Sequence, residues 1–136
     1  MNVLVVEDDP NLRQLWGMVI EKAGHRADLV AEPAEARTRL ERHPYDLMLL
    51  DLRLNGEDAL PLAEVAATAH PDCRVVVVTG TSLYRRGEIF AETPSVAAVL
   101  RKPVDIEDIM AICSHVAEGG ALPSLESLAA GGAELR

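Results

Sequence analysis

Glu7 and Asp8, Asp51, Thr79 and Lys102 each stand at or just past the end of an apolar run: Val3 to Val6, Leu47 to Leu50, Cys73 to Val78 and Val96 to Leu100. A single acid in such a place is commonly no more than a turn residue. Carboxylates, a hydroxyl and an ammonium brought in by four different runs are the set that one phosphoryl-transfer site requires. Two or three carboxylates in one pocket repel by roughly 4 kcal/mol per pair at about 4 Å in an effective dielectric near 20, and a divalent cation relieves that repulsion. An all-oxygen ligand set favours Mg²⁺, with Mn²⁺ as the alternative. In such a site the Asp51 carboxylate would attack phosphorus in line. The cation and the Lys102 ammonium would offset the charge gathering on the equatorial oxygens.

The elements that must position these groups alternate along the chain. Val3 to Val6 reads as a buried strand, and Pro10 opens a helix behind an Asp9 N-cap. Leu12, Leu15, Trp16, Val19, Ile20 and Ala23 recur on one face of that helix, which Gly24 ends. His25 to Val30 is a more polar, edge-like strand, and Pro33 opens a helix with Ala36 and Leu40 inward that His43-Pro44 closes. Leu47 to Leu50 lacks polar alternation, as expected of a strand covered on both faces. Asn55-Gly56 then turns the chain, and Asp58 is placed to cap a helix carrying Leu60, Ala63, Ala66 and Ala67 inward. Cys73 to Val78 is the fourth strand; residues 82–94 have poor helical phase and suggest a short or irregular helix. Val96 to Leu100 is the fifth strand, and Asp105 starts a last helix with Ile106, Ile109, Met110, Cys113 and Val116 buried. Five strands alternating with helices predict a doubly wound α/β fold, a parallel sheet covered on both faces, with the five polar positions on its carboxyl rim.

At 136 residues one domain is expected, taken here as 1–117, followed by a flexible tail over 118–136 with room for a short helix near Ser124 to Ala130. The net charge of -9 repels nucleic acid and anionic lipid on average, so neither is an expected partner. No apolar run approaches the roughly 20 residues of a membrane helix. The opening Met1-Asn2-Val3-Leu4 is no secretion signal, which points to the cytoplasm. Cys73 and Cys113 have no neighbouring Cys and read as buried thiols. The four His residues lack metal-ligand spacing, and no glycine-rich nucleotide signature occurs.

With those residues in hand, the chain resembles the receiver domain of two-component response regulators over about residues 1 to 117. That pattern is an acidic pair after the first strand, an acceptor Asp after the third, Thr or Ser after the fourth and Lys-Pro after the fifth. Here these are Glu7-Asp8, Asp51, Thr79 and Lys102-Pro103. The resemblance implies a flavodoxin-like sheet in the order 2-1-3-4-5 and phosphorylation of Asp51 by a histidine kinase or histidine phosphotransfer protein. It implies metal ligation by Asp8, Asp51 and the Arg53 backbone carbonyl, with Glu7 acting through a water. Thr79 and Lys102 would bind the phosphoryl group, and Gly80 would leave room for it. Output would pass to a downstream protein or along a phosphorelay, from a monomer or weak dimer. Leu54-Asn55-Gly56-Glu57, Pro61-Leu62-Ala63 and Thr79-Gly80 further resemble a subgroup of stand-alone receivers with a short fourth helix.

Several departures stand out. Val99 occupies the position where the family carries an aromatic switch residue, Tyr84 reads as an exposed helix residue rather than its substitute, Asn55-Gly56 replaces the common Pro-Gly, and Arg53 puts a cation two residues past Asp51. An aspartyl phosphohydrolase would need an acid at Arg53. A phosphorylation-independent pseudo-receiver would be expected to have lost Asp51 or Lys102, and both are present. A receiver fragment of a larger regulator or hybrid kinase is the remaining alternative.

Overall fold

The computed structural model describes residues 1–80, 93, 95–119 and 134–135. Tyr84, the expected irregular helix over 82–94 and the short helix expected near Ser124 lie outside them.

Five strands, β1 (Asn2–Val6), β2 (Arg26–Val30), β3 (Leu47–Asp51), β6 (Arg74–Thr79) and β7 (Val96–Arg101), form a parallel sheet in the order β2-β1-β3-β6-β7. This is the expected order with the fourth and fifth long strands renumbered. Between β3 and β6 the chain inserts two short strands, β4 (Arg53–Leu54) and β5 (Glu57–Asp58), paired as an antiparallel hairpin. Asn55 and Gly56 form its turn, both at positive φ (51° and 82°), the backbone that a two-residue hairpin turn demands. An eighth strand, β8 (Glu134–Leu135), pairs antiparallel with β7 inside the segment expected to be a free tail.

Helices α1 (Pro10–Lys22), α2 (Pro33–Arg42), α3 (Pro61–Ala69) and α4 (Ile106–Ala117) cover the sheet. Alternate strand residues feed two cores. Leu4, Val6, Met48, Leu50, Val75 and Val77 pack with Ala36, Leu40, Leu62, Ala63 and Ala66 of α2 and α3. Val3, Val5, Leu47, Leu49, Val76 and Val78 pack with Trp16 and Ile20 of α1 and Ile109, Ile112 and Cys113 of α4. All five residues of β3 are buried, as its unbroken apolar run requires.

Two helix faces are rotated from expectation. On α1 the buried residues are Trp16, Gly17 and Ile20, while Leu15 is exposed. Gly17 is the reason, because a Cβ there would lie 2.9 Å from Leu29 Cδ2, so its absence lets the helix sit down on β2. On α4, Ile112 and Asp108 are buried while Ile106 and Met110 are exposed. Apolar residues ring much of α4, so spacing alone does not select one face. The Asp9 cap forms as expected, its Oδ1 accepting from Asn11 N at 2.8 Å. Asp58 lies in β5 rather than at the helix, and its Oδ1 accepts from Leu60 N at 2.9 Å just ahead of Pro61.

Candidate functional site

β1 and β3 are hydrogen-bonded neighbours running the same way, so the acids after their last residues come out side by side. Each of Glu7, Asp8 and Asp51 has an oxygen within 4.8 Å of the others. Lys102, just past β7, reaches over this group: its Nζ donates to Glu7 Oε1 at 3.0 Å and to Asp51 Oδ2 at 3.3 Å. Lys102 N also donates to Thr79 O at 2.9 Å, which ties the ends of β6 and β7 together, and the Lys102-Pro103 peptide is cis. The stem of Lys102 passes Gly80, where an added Cβ would meet its Cδ at an ordinary 3.5 Å. Its ammonium lies 6.0 Å from the centroid of the Trp16 ring, at the edge of cation–π range.

Glu7 and Asp51 are buried, Asp8 is half-buried and Thr79 ends β6 with its side chain buried. Val99 is fully buried in the core shared with α2 and α3. Arg53 N makes a long bond of 3.4 Å to Asp51 Oδ1, and the Arg53 guanidinium turns away to donate to Gly56 O at 3.1 Å.

Two supports escaped sequence reasoning. Arg13 Nη1, from the first turn of α1, donates to the carbonyls of Glu7 (3.0 Å) and Asp8 (3.4 Å) and pins the backbone that carries the acids. Its position one turn past the Asp9 cap is the signal that it faces this loop. Asn55 N, at the tip of the hairpin, donates to Asp8 Oδ2 at 3.0 Å. No pattern in the chain joins residues so far apart, although the Asn-Gly turn was itself legible.

The electrostatics match a pocket short of positive charge. Glu7 Oε2 is buried without a hydrogen-bond partner, which costs free energy unless a proton or cation supplies one. Burial, then the neighbouring Asp51 carboxylate, pushes Glu7 up to about 8 against the pull of Lys102. Burial lowers the affinity of Lys102 for its proton, but Glu7 and Asp51 outweigh it and hold the ammonium above its usual range. Three clustered carboxylates, one with an orphaned buried oxygen, fit a hard divalent cation.

A pH dependence follows. The unfolded chain releases the Glu7 proton near 4.5 and the folded chain only near 8. The stability this group contributes is therefore whole below the unfolded value and lost as pH rises through the folded one. In excess chelator we expect Tm to fall by roughly 10 °C between about pH 5 and about pH 8, and Glu7→Gln to flatten that slope. Equal slopes for the two proteins would show that Glu7 titrates as an ordinary surface acid.

Together these features define a doubly wound α/β domain with a carboxylate–lysine pocket on the carboxyl rim of its sheet. Residues 3–114 match the response regulator receiver domain family. The chain is 30% identical over 108 residues to the response regulator receiver protein CpdR of Brucella abortus, covering 79% of this chain and 89% of CpdR. It is 31% identical over 111 residues to the transcriptional regulatory protein PhoP of Escherichia coli, covering 82% of this chain but about half (49%) of PhoP. Among solved structures, the response regulator TrrA of Thermotoga maritima, in complex with Mg²⁺ and BeF, superposes with a TM-score of 0.60 at 26% identity, covering 70% of this chain and 80% of TrrA. The chain belongs to the receiver-domain family of response regulators. None of its described helices is long and apolar enough to cross a membrane.

Proposed function

We propose that this receiver takes a phosphoryl group on Asp51 from a histidine kinase or histidine phosphotransfer protein, with Mg²⁺ as cofactor. We propose further that it acts as a cytoplasmic signal, passed on by protein contact or phosphorelay. The observation that carries this reading is that Asp51 Oδ2 lies 3.3 Å from the Lys102 ammonium while Asp51 shares an oxygen cluster with Glu7 and Asp8.

An Asp51 carboxylate oxygen attacks phosphorus as the bond to the donor imidazole nitrogen breaks, and that nitrogen keeps the electron pair and takes up a proton. Lys102 turns its ammonium from Glu7 and Asp51 toward a phosphoryl oxygen, where it offsets charge that grows in the transition state. Asp8, Asp51 and the Arg53 carbonyl are the proposed metal ligands, with Glu7 acting through a water. When bound, Mg²⁺ supplies Lewis-acid stabilisation to the same phosphoryl oxygens. The Thr79 hydroxyl then bonds the phosphoryl group and draws the chain after β6 toward the site. Gly80 has no side chain to crowd that shift, and a Cβ there would meet the Lys102 stem at ordinary van der Waals contact. Val99 carries no ring to follow Thr79 inward, so the aromatic coupling of the family is absent here in its usual form.

The relatives support this reading. CpdR shares the receiver over most of its length, and TrrA was solved in complex with Mg²⁺ and BeF. Acetyl phosphate with Mg²⁺, read by intact mass, tests it. The native chain should gain one phosphoryl group, mapped to Asp51, and none after chelation. Steady turnover of phosphate esters would indicate a hydrolase instead, and no modification at all a pseudo-receiver.

A further inference from the structure

Asp8 is the acid of the pocket with the most freedom to turn away, half-buried where Glu7 and Asp51 are buried. Its main chain is nevertheless fixed. Glu7 N donates to Val30 O at 3.1 Å, and Arg13 Nη1 binds the carbonyls of Glu7 and Asp8. What those bonds leave open is rotation of the side chain, and the β4–β5 hairpin meets it from the other side. The hairpin is braced at its base by Leu52 N on Val78 O and Ala59 N on Leu52 O, both at 2.8 Å. Leu54 sinks fully into the core shared with α2 and α3, and the Arg53 guanidinium ties the tip through Gly56 O.

The group this arm extends to Asp8 is an amide: Asn55 N donates to Oδ2 at 3.0 Å. The bond needs an N–H and, at a φ of 51°, a residue that accepts left-handed backbone. Proline, which the common Pro-Gly turn would put here, meets neither condition, since its ring holds φ at about -65° and it carries no N–H. The donor is therefore particular to the Asn55-Gly56 form of the turn. A carboxylate has two oxygens, so Asp8 keeps one for a cation while the other is held.

We propose that the main-chain amide of Asn55 is a positioning group for the divalent cation: it locks the rotation of the Asp8 carboxylate, so that the second oxygen is presented to the ion shared with Asp51. This role rests on the pocket being a cation site, for which the buried, partnerless Glu7 Oε2 is the independent mark. A ligand ordered before the ion arrives loses little freedom on binding it. Removing a donor that fixes a metal ligand without touching the metal commonly weakens affinity by about 10- to 100-fold. Half-buried Asp8 belongs at the low end of that range, because water reaches it and replaces part of a lost bond.

Titration of the full chain with Mg²⁺, followed by backbone amide shifts in NMR, tests the proposal. The native chain should bind a single ion, and Asn55→Pro should weaken that binding by about tenfold. Asn55→Gly keeps the N–H and the left-handed turn, and should rescue affinity to within about threefold of native. In an Asp8→Asn background the further change Asn55→Pro should cost less than about threefold, because its effect runs through that carboxylate. A second measurement needs neither the cation nor the proline variant: in chelator the Asn55 amide should exchange with solvent at least about tenfold faster in Asp8→Ala than in the native chain. Equal Mg²⁺ affinity in native and Asn55→Pro chains, no rescue by Asn55→Gly, a tenfold loss that persists without the Asp8 carboxylate, or equal exchange in Asp8→Ala would each overturn the positioning role while leaving the cation site in place. A native chain that binds no Mg²⁺ at millimolar concentration would remove the cation site itself, and this role with it.

Discussion

Asp51→Asn yields a folded chain that takes up no phosphoryl group from acetyl phosphate and Mg²⁺ over times that label the native protein fully. The carboxamide has the shape of the carboxylate and fits the same nearly closed position at the end of β3. What it lacks is an anionic oxygen to attack phosphorus and a charge to hold a cation. The loss should therefore be complete rather than partial. Folding should survive, because removing one of three clustered acids relieves repulsion on Glu7, which Asp51 holds protonated together with burial. We expect the variant's Tm in chelator to match or exceed that of the native chain by a few degrees. Intact mass and a thermal melt read both outcomes, and phosphoryl addition to the variant at the native rate would move the acceptor to another residue.

Lys102→Met should slow labelling by about 100- to 1,000-fold at saturating Mg²⁺, the usual consequence of removing one preorganised charge that stabilises a transition state. Met keeps a straight stem of similar length, so the contacts of that stem near Gly80 are largely retained and the ammonium, which alone approaches the Trp16 ring, is isolated as the cause. Stability should change as well. Without Nζ, Glu7 Oε1 and Asp51 Oδ2 lose partners at 3.0 and 3.3 Å, and a buried pair broken on one side commonly costs about 3–5 kcal/mol. Here the cost is smaller, because Glu7 already tends to keep its proton and a cation can take the place of the ammonium. Added Mg²⁺ should therefore raise the Tm of the variant more than that of the native chain. A labelling rate within threefold of native would remove Lys102 from the reaction.

Much of this site was legible in the chain because each part of it ends a run. An apolar strand terminates where its next residue meets solvent or a ligand, so Glu7-Asp8, Asp51, Thr79 and Lys102 could be read as rim positions before their neighbours were known. Strand order came from resemblance rather than from pattern, since alternation of elements does not say which strand lies beside which. What stayed hidden depends on distance in the fold. The Asn55 amide on Asp8 joins residues 47 apart in the chain, and no sequence pattern carries a trace of it, whereas the Arg13 guanidinium on two carbonyls was signalled only by its place one turn past the Asp9 cap. The rotated faces of α1 and α4 were misjudged for a related reason. Counting apolar residues gives Gly17 no weight, yet its missing side chain sets how α1 lies on Leu29. β8 was overlooked because Gly and Ala around two ordinary residues give no strand signal, whereas an open edge can recruit such a segment without one.

The hairpin turn meets Asp8 through a main-chain amide, and that choice of donor has an evolutionary consequence. An amide is the same whichever residue carries it, provided the backbone there stays left-handed, a condition that Asn, Asp and Gly satisfy most readily. The exposed side chain of Glu57 can thus drift as upstream donors diverge, while the carboxylate beneath stays anchored. Partner choice and phosphate chemistry can then be selected separately within a loop of eight residues, 51 to 58.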